Sequence, residues 1–500
     1  MNRLARWIGL LLLVAAPLLL WLPDTPATGP GSGARPDLPD VDRYVVDRLA
    51  AARLPGAALA VTRGDQILHL RGFGRTGGGG PVGIHTPFRI ASLSKAFTAT
   101  AVLQLVEAGR VRLDDPLRDP LPGFQVDDRR GAAITVRHLL NQTSGLADTG
   151  FPEQTMPPPA DLTGRVASLR AARLVSDPGT RFHYFNPNYD ILARLVEVST
   201  GQSYASHLRT HIFDPLGMRD TTVVSDGRAA AGHPVPDGHI LVYGVAVARP
   251  ELDGFLGGNG AVVSTAHDLA RWLVAQATGR YGGHQLLTAA SLDLMRTPPS
   301  GVDSTYGMGW STERAADGSV RLTHPGVLST YDAEASLSPA TGTGMVLLFN
   351  SGNALAPYHS IASGVSAVLD GREPAGGLPL VAVELPLACL TLLVLAVRTR
   401  RLVGFRSRSA RWGARPLWRT ALVVLWLLVP LVLLIALPDL VATFAGRVFS
   451  RHQLLRSMPS VHGFLGVAAL TGLAVAALRV TASVRSRRAA RSPAVRPDAP

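Results

Sequence analysis

The apolar positions of this chain follow two regimes. Between Pro36 and Arg372 they recur at the short spacings of a folded domain. AALAVTRGDQILHLRGFG (57–74) sets an apolar strand, an Arg-Gly-Asp turn and a second strand in succession, the pattern of a hairpin. The TGGGGP that follows (76–81) reads as a loop; it lacks the Lys-Ser/Thr ending of a phosphate-binding loop. SKAFTATAVLQLVEAGRV has its apolar residues at helical spacing, and Gly109 suits a C-terminal cap. AVVSTAHDLARWLVAQ (261–276) reads as another helix, with Thr265 and Asp268 at capping-box spacing. TGTGMVLLFNSG (341–352) reads as a strand, and APYHSIASGVSAVLD as a closing amphipathic helix. Strands at both ends with helices between predict one mixed sheet whose edges come from distant sequence.

In the second regime the apolar residues run on without interruption. Residues 7–23 are uncharged and follow Arg3 and Arg6, so 1–30 reads as a secretion signal or a short N-terminal anchor. Three longer runs, about 378–397, 421–443 and 458–478, each approach the ~20 residues that span a bilayer core. The expected organisation is therefore a segment 1–30, a domain 31–373 and a membrane region 374–500 with three spans. The loop 398–419 carries eight Arg and no acid, the tail from 479 carries six, and the loop 444–457 carries three. The positive-inside rule puts the first two in the cytoplasm and the last outside. The domain then lies outside the cytoplasm, as the N-terminal segment also implies. Glu384 and Asp439 fall near the outer ends of their spans and read as solvated helix ends.

Composition agrees. The chain is 47% hydrophobic and 17% charged, with a mean hydropathy of +0.20, too apolar for a wholly soluble protein. The net charge of +13 could point to nucleic acid, but most of it resides in the membrane-flanking arginines. The middle of the chain is slightly acidic, so a nucleic-acid partner is not expected. One cysteine, Cys389, excludes an intrachain disulfide. No His-Glu-x-x-His occurs, and His138, His183 and His267 show no metal-ligand spacing, so neither a metal nor another cofactor is expected.

The charged residues hold one anomaly. Lys95 is the only lysine, against 48 arginines. It follows Ser92 by three positions at the start of a helix, so the two side chains share a face. A serine hydroxyl is a weak nucleophile until a neighbour takes its proton. A buried lysine can do so, whereas arginine stays protonated.

Four blocks then occur in order over roughly 280 residues: RIASLSKAFTA, ITVRHLLNQTSGL (134–146), PGTRFHYFNPNYDILARLVEVSTG (178–201) and LTHPG (322–326). Together they resemble the motifs of serine β-lactamases and penicillin-binding proteins, on the class C-like branch. The resemblance covers about 40–372. It implies an α/β fold of the β-lactamase/transpeptidase type: an antiparallel sheet flanked by helices plus a mostly helical subdomain, here followed by a transmembrane helical region. It also implies a role for each matching residue. Ser92 would be the acylated nucleophile and Lys95 its proton acceptor. Tyr184 would be the general base or acid that relays protons to the leaving group and from the deacylating water. Asn186 would hold Lys95 and the substrate amide. His324 stands where many relatives have lysine, and Gly326 would let substrate approach the strand edge. The N–H groups of Ser92 and Val327 would form the oxyanion hole, worth about 3–4 kcal/mol per donor in comparable hydrolases. Without the motif, Tyr184 reads as a core aromatic beside Phe182 and Phe185, Asn186 as a turn residue before Pro187, and His324 as a polar residue at a strand end. Gly257-Gly258-Asn259-Gly260 reads either as a lining of the site or, in preference, as a plain loop.

The departures at the third block restrict the substrate. His324 is only partly charged near pH 7, and Pro325 removes both a hydroxyl and an N–H. Ester, amide and D-amino-acid peptide hydrolysis stay open beside β-lactam hydrolysis, with peptidoglycan-derived peptides in reach. The expectation is an exported, membrane-anchored serine hydrolase acting through an acyl-enzyme on a small-molecule or peptide substrate. The alternative is an acylated or ligand-binding membrane receptor that turns over poorly.

Overall fold

The computed structural model describes residues 38–225, 235–252, 254–314, 318–375 and 380–491. The N-terminal apolar segment read as a signal or anchor lies outside these residues. Six strands form the main sheet: β1 (Gly56–Arg63), β2 (Gln66–Gly74), β3 (Ser311–Arg314), β4 (Val320–Val327), β5 (Asp332–Leu337) and β6 (Thr343–Phe349). Their order is β3-β4-β5-β6-β1-β2, and every pairing is antiparallel. The hairpin falls where the sequence places it, with Gly64 turning at φ +57°. The expectation of a mixed sheet is corrected to an antiparallel one, while its edge strands, β2 and β3, do come from distant sequence. The distant ends of the domain join in the middle of the sheet, from Ala57 opposite Phe349 to Arg63 opposite Thr343. The hairpin uses one side of β1 and leaves the other free for β6.

Alternation along β1 and β6 splits the core into two layers. Leu59, Val61, Leu347 and Phe349 pack with Val41 and Val45 of α1 (Leu38–Ala52) and Ile361 and Val365 of α5 (Tyr358–Leu369). Ala58, Ala60, Val346 and Leu348 face the opposite way. They join the core of the helical subdomain, built on α2 (Ser94–Glu107), α3 (Pro187–Thr200) and α4 (Ala266–Thr278). Small residues on that face make room for Trp272 of α4, whose indole lies between Phe97, stacked at 4.5 Å, and Trp310 at 5.5 Å. α4 begins later than the sequence predicts, because Val262–Ser264 forms a strand. Thr265 caps it by accepting from the Asp268 N–H. Gly109, at φ +68°, follows the end of α2 as expected.

Beyond the domain stand α6 (Val381–Val403), α7 (Leu417–Ala445) and α8 (Pro459–Arg491). All three are long and apolar enough to cross a membrane. They expose large hydrophobic side chains, Leu392, Leu425 and Leu470 among them. The ends of α6 and α8 nearest the domain dock on it. The Tyr243 N–H donates to Ser460 Oγ (2.7 Å) and the Ala354 N–H to the Ser457 carbonyl (2.8 Å). Glu384 therefore departs from its expected place at a solvated helix end. It is buried at this junction and accepts from Asn353 Nδ2 at 3.4 Å.

Candidate active site

Ser92 occupies a single tight turn, Ala91–Leu93, that leads into α2. Ala91 adopts φ +48°, a left-handed conformation costing about 1 kcal/mol or more for a residue with a Cβ. The turn is pressed against β4. A Cβ on Gly326 would lie 2.1 Å from the Ile90 carbonyl oxygen, so only glycine allows this approach of strand to turn. Backbone proximity, rather than substrate access, is thus the demand this glycine visibly meets. β3 pairs with β4 only from Val320 to Thr323. Residues His324–Val327 extend past it, and the Val327 side chain is exposed.

Lys95 lies one helical turn from Ser92 and is fully buried. Its Nζ sits 3.0 Å from Ser92 Oγ, 2.9 Å from Asn186 Oδ1 and 2.9 Å from the Asn259 carbonyl oxygen. Burial drives its pKa down from the ordinary lysine value. Tyr184 and Asp190 oppose that shift, and the Arg447 charge adds to it. Two of the three neighbours are carbonyl oxygens, which can only accept. A neutral amine has two N–H groups and one lone pair. With both hydrogens committed to Asn186 and Asn259, the lone pair is left for the Ser92 hydroxyl proton.

Asn186 stands at the N-cap position of α3, with Pro187 as the first helical residue. Tyr184, two residues earlier, is half-buried, with Lys95 Nζ 4.8 Å from its ring centre. His324 is buried, and its ring centre lies 6.4 Å from that of Tyr184. Its Nδ1–H donates to the Pro325 carbonyl (2.8 Å), so its Nε2 accepts from the Tyr306 hydroxyl (3.2 Å). Burial, with Lys95 beside it, pushes the His324 pKa down to about 3. The partial charge read from the sequence is replaced by a neutral imidazole.

The structure thus gathers Ser92, Lys95, Tyr184, Asn186 and His324 beside the open edge at Gly326–Val327. It also brings in residues beyond these, and for one segment overturns the preferred reading of a plain loop. The Gly257–Gly260 segment lines the site, since the Asn259 carbonyl holds Lys95. Asn259 Nδ2 donates to Asp190 Oδ1 at 2.6 Å. Asp190 is buried and 3.2 Å from Arg165, which also lies 3.3 Å from Glu153. Burial raises the pKa values of both acids. Asp190 follows Asn186 by one helical turn, a spacing that could have been read. Arg447 could not. It belongs to the loop between α7 and α8, and its guanidinium lies 5.0 Å from the centre of the Tyr184 ring. His267, which showed no metal spacing, meets His85 and Asp220 with potential ligand atoms all within 4.8 Å. Arg271 stands 3.3 Å from its Nε2.

Comparison with known proteins covers the domain rather than the helices. The Beta-lactamase family model matches residues 41–363. Penicillin-binding protein 4 of Amycolatopsis lactamdurans is 33% identical over 318 residues, 60% of this chain and 81% of that protein. The octameric penicillin-binding protein homologue from Pyrococcus abyssi aligns with a TM-score of 0.58 at 25% identity, covering 70% of this chain and 81% of the other. The D-stereospecific amidohydrolase from a Streptomyces species aligns with a TM-score of 0.51 at 26% identity, covering 63% and 94%. On the sequence match and the shared fold, the chain belongs to the β-lactamase family of serine hydrolases.

Proposed function

We propose that this protein is an exported, membrane-anchored hydrolase that opens amide or ester bonds through an acyl-enzyme on Ser92. The observation that carries this reading is the contact of a fully buried lysine amine with a serine hydroxyl at 3.0 Å. Neutral Lys95 takes the hydroxyl proton while Oγ forms its bond to the substrate carbonyl carbon. The N–H groups of Ser92 and Val327 receive the oxyanion. As the C–N or C–O bond breaks, Tyr184 passes a proton to the leaving group. In the second half the Tyr184 phenolate takes a proton from the water that attacks the acyl carbon, and protonated Lys95 returns its proton to Ser92 Oγ as the acyl–oxygen bond breaks. Asn186 keeps the amine aligned and is placed to bind the substrate amide. α6, α7 and α8 hold the domain on the outer membrane face, where the three arginines of the 444–457 loop also lie.

The amidohydrolase and penicillin-binding relatives favour small D-amino-acid peptides or amides, peptidoglycan-derived ones included. The test uses the full chain in detergent micelles. A fluorophosphonate or fluorescent penicillin labels the wild type at Ser92, and Ser92→Ala abolishes labelling. Nitrocefin, a p-nitrophenyl ester and D-Ala-D-Ala peptides then rank the substrates. Fast labelling with almost no release on any of them would favour a receptor instead.

A further inference from the structure

Arg447 lies outside the matched domain, yet its guanidinium covers Tyr184, whose ring also faces Lys95. Its grip on the protein is partial. Nε reaches Asp148 Oδ2 at 3.4 Å, and the Val448 N–H donates to the same oxygen at 3.0 Å. One terminal nitrogen, Nη2, is buried with no hydrogen-bond partner. A guanidinium presents a planar fork suited to a carboxylate, and an uncommitted buried donor costs free energy until a ligand accepts from it. The other basic groups of the site are engaged or uncharged. Lys95 meets three oxygens, Arg165 is flanked by Glu153 and Asp190, and His324 is neutral. Two acids, Asp148 and Glu153, lie near the guanidinium, and burial favours the protonated form of each.

We propose that Arg447, delivered by the loop between α7 and α8, forms an anion-binding subsite beside Tyr184 and selects substrates with a carboxylate or similar anionic group near the bond attacked. The proposal rests on the hydrolase reading of Ser92 and Lys95, and supplies from the membrane region the charge that the third sequence block lacks.

The test compares matched substrates, an N-acyl D-alanyl dipeptide with a free C-terminal carboxylate and its C-terminal amide, on the full chain in detergent micelles. Arg447→Gln should lower kcat/KM for the acid about ten- to a hundredfold more than for the amide, with the loss in KM. Arg447→Lys, which keeps the charge without the fork, should fall between. If the acid-to-amide ratio is the same in wild type and both variants, the subsite does not exist and Arg447 is a strap holding the loop. If neither peptide is cleaved, the same ratio is read as protection of Ser92 from the fluorophosphonate, with the same two outcomes. Labelling also separates the two readings. A wild type that labels at Ser92 with an unchanged ratio removes the subsite alone, whereas one that never labels removes the hydrolase and the subsite with it. The melting temperature of each variant guards against a folding defect, and Arg447→Lys carries the test should Arg447→Gln not fold.

Discussion

The helices of the domain and those of the C-terminal region solve opposite problems. α4 hides Leu269, Trp272 and Leu273 in a core, with Arg271 half-buried against the Gly217 carbonyl. α7 is apolar on all sides and leaves Leu422, Leu425 and Ile435 exposed. Water is the solvent that organises the first. A hydrocarbon phase, in which Leu gains nothing by hiding, suits the second. The difference teaches where function can be written. Buried polar groups are satisfied at high density in the domain, while the helices carry few of them and contribute through the loop they hold.

That contrast can be tested, beginning with the largest effect. Lys95→Arg fixes a permanent positive charge in the buried site and removes a base that can deprotonate, so turnover should fall about a thousandfold or more. A variant that reacts like wild type would break the link between burial and chemistry. Next, Trp272→Ala should cost about 3–5 kcal/mol of stability, measured by denaturant unfolding of the domain signal, whereas Leu425→Ala, on an exposed side of α7, should leave that transition in place. Equal effects would mean that α7 packs as a water-soluble helix does. The third test is pH. His324 is neutral in the folded state down to about pH 3, and an unfolded histidine gains its proton near 6.5. Between those values the unfolded chain binds more protons, so stability falls as pH falls, by at most about 1.4 kcal/mol per unit. His324→Gln should flatten that slope. The smallest effect crosses between the regions. Lys95 is faced by Tyr184, Asp190 and Arg447. Losing the Arg447 charge should raise the Lys95 pKa and move the acidic limb of the labelling-rate profile to higher pH.

The parts legible in the sequence were those encoded by local spacing. Ser92 and Lys95 are one turn apart, the hairpin and the cap of α4 have short-range signatures, and the three apolar runs declare themselves by length. What stayed hidden depends on distant backbone. Asn259 acts on Lys95 through a carbonyl oxygen, which any residue possesses, so a Gly-rich segment looked like an ordinary loop. Glu384 looked solvated because nothing local reveals that the domain sits on it. The strands from the two ends of the domain meet at the centre because β1 has a free side, a fact of pairing that no single strand displays. Arg447 was one arginine among three on a loop, and its neighbour Tyr184 belongs to another region.

The docking of α6 beneath the domain bears on how the protein should be handled. A cut at residue 373, where the family resemblance stops, would keep the Ser92 machinery. It would strip Leu380 and Val461 from the layer that holds Val41 and Ile361, and would take Arg447 away. A soluble fragment prepared that way would be a different reagent, with a raw apolar underside and an altered taste for substrates, and its kinetics would not describe the intact molecule.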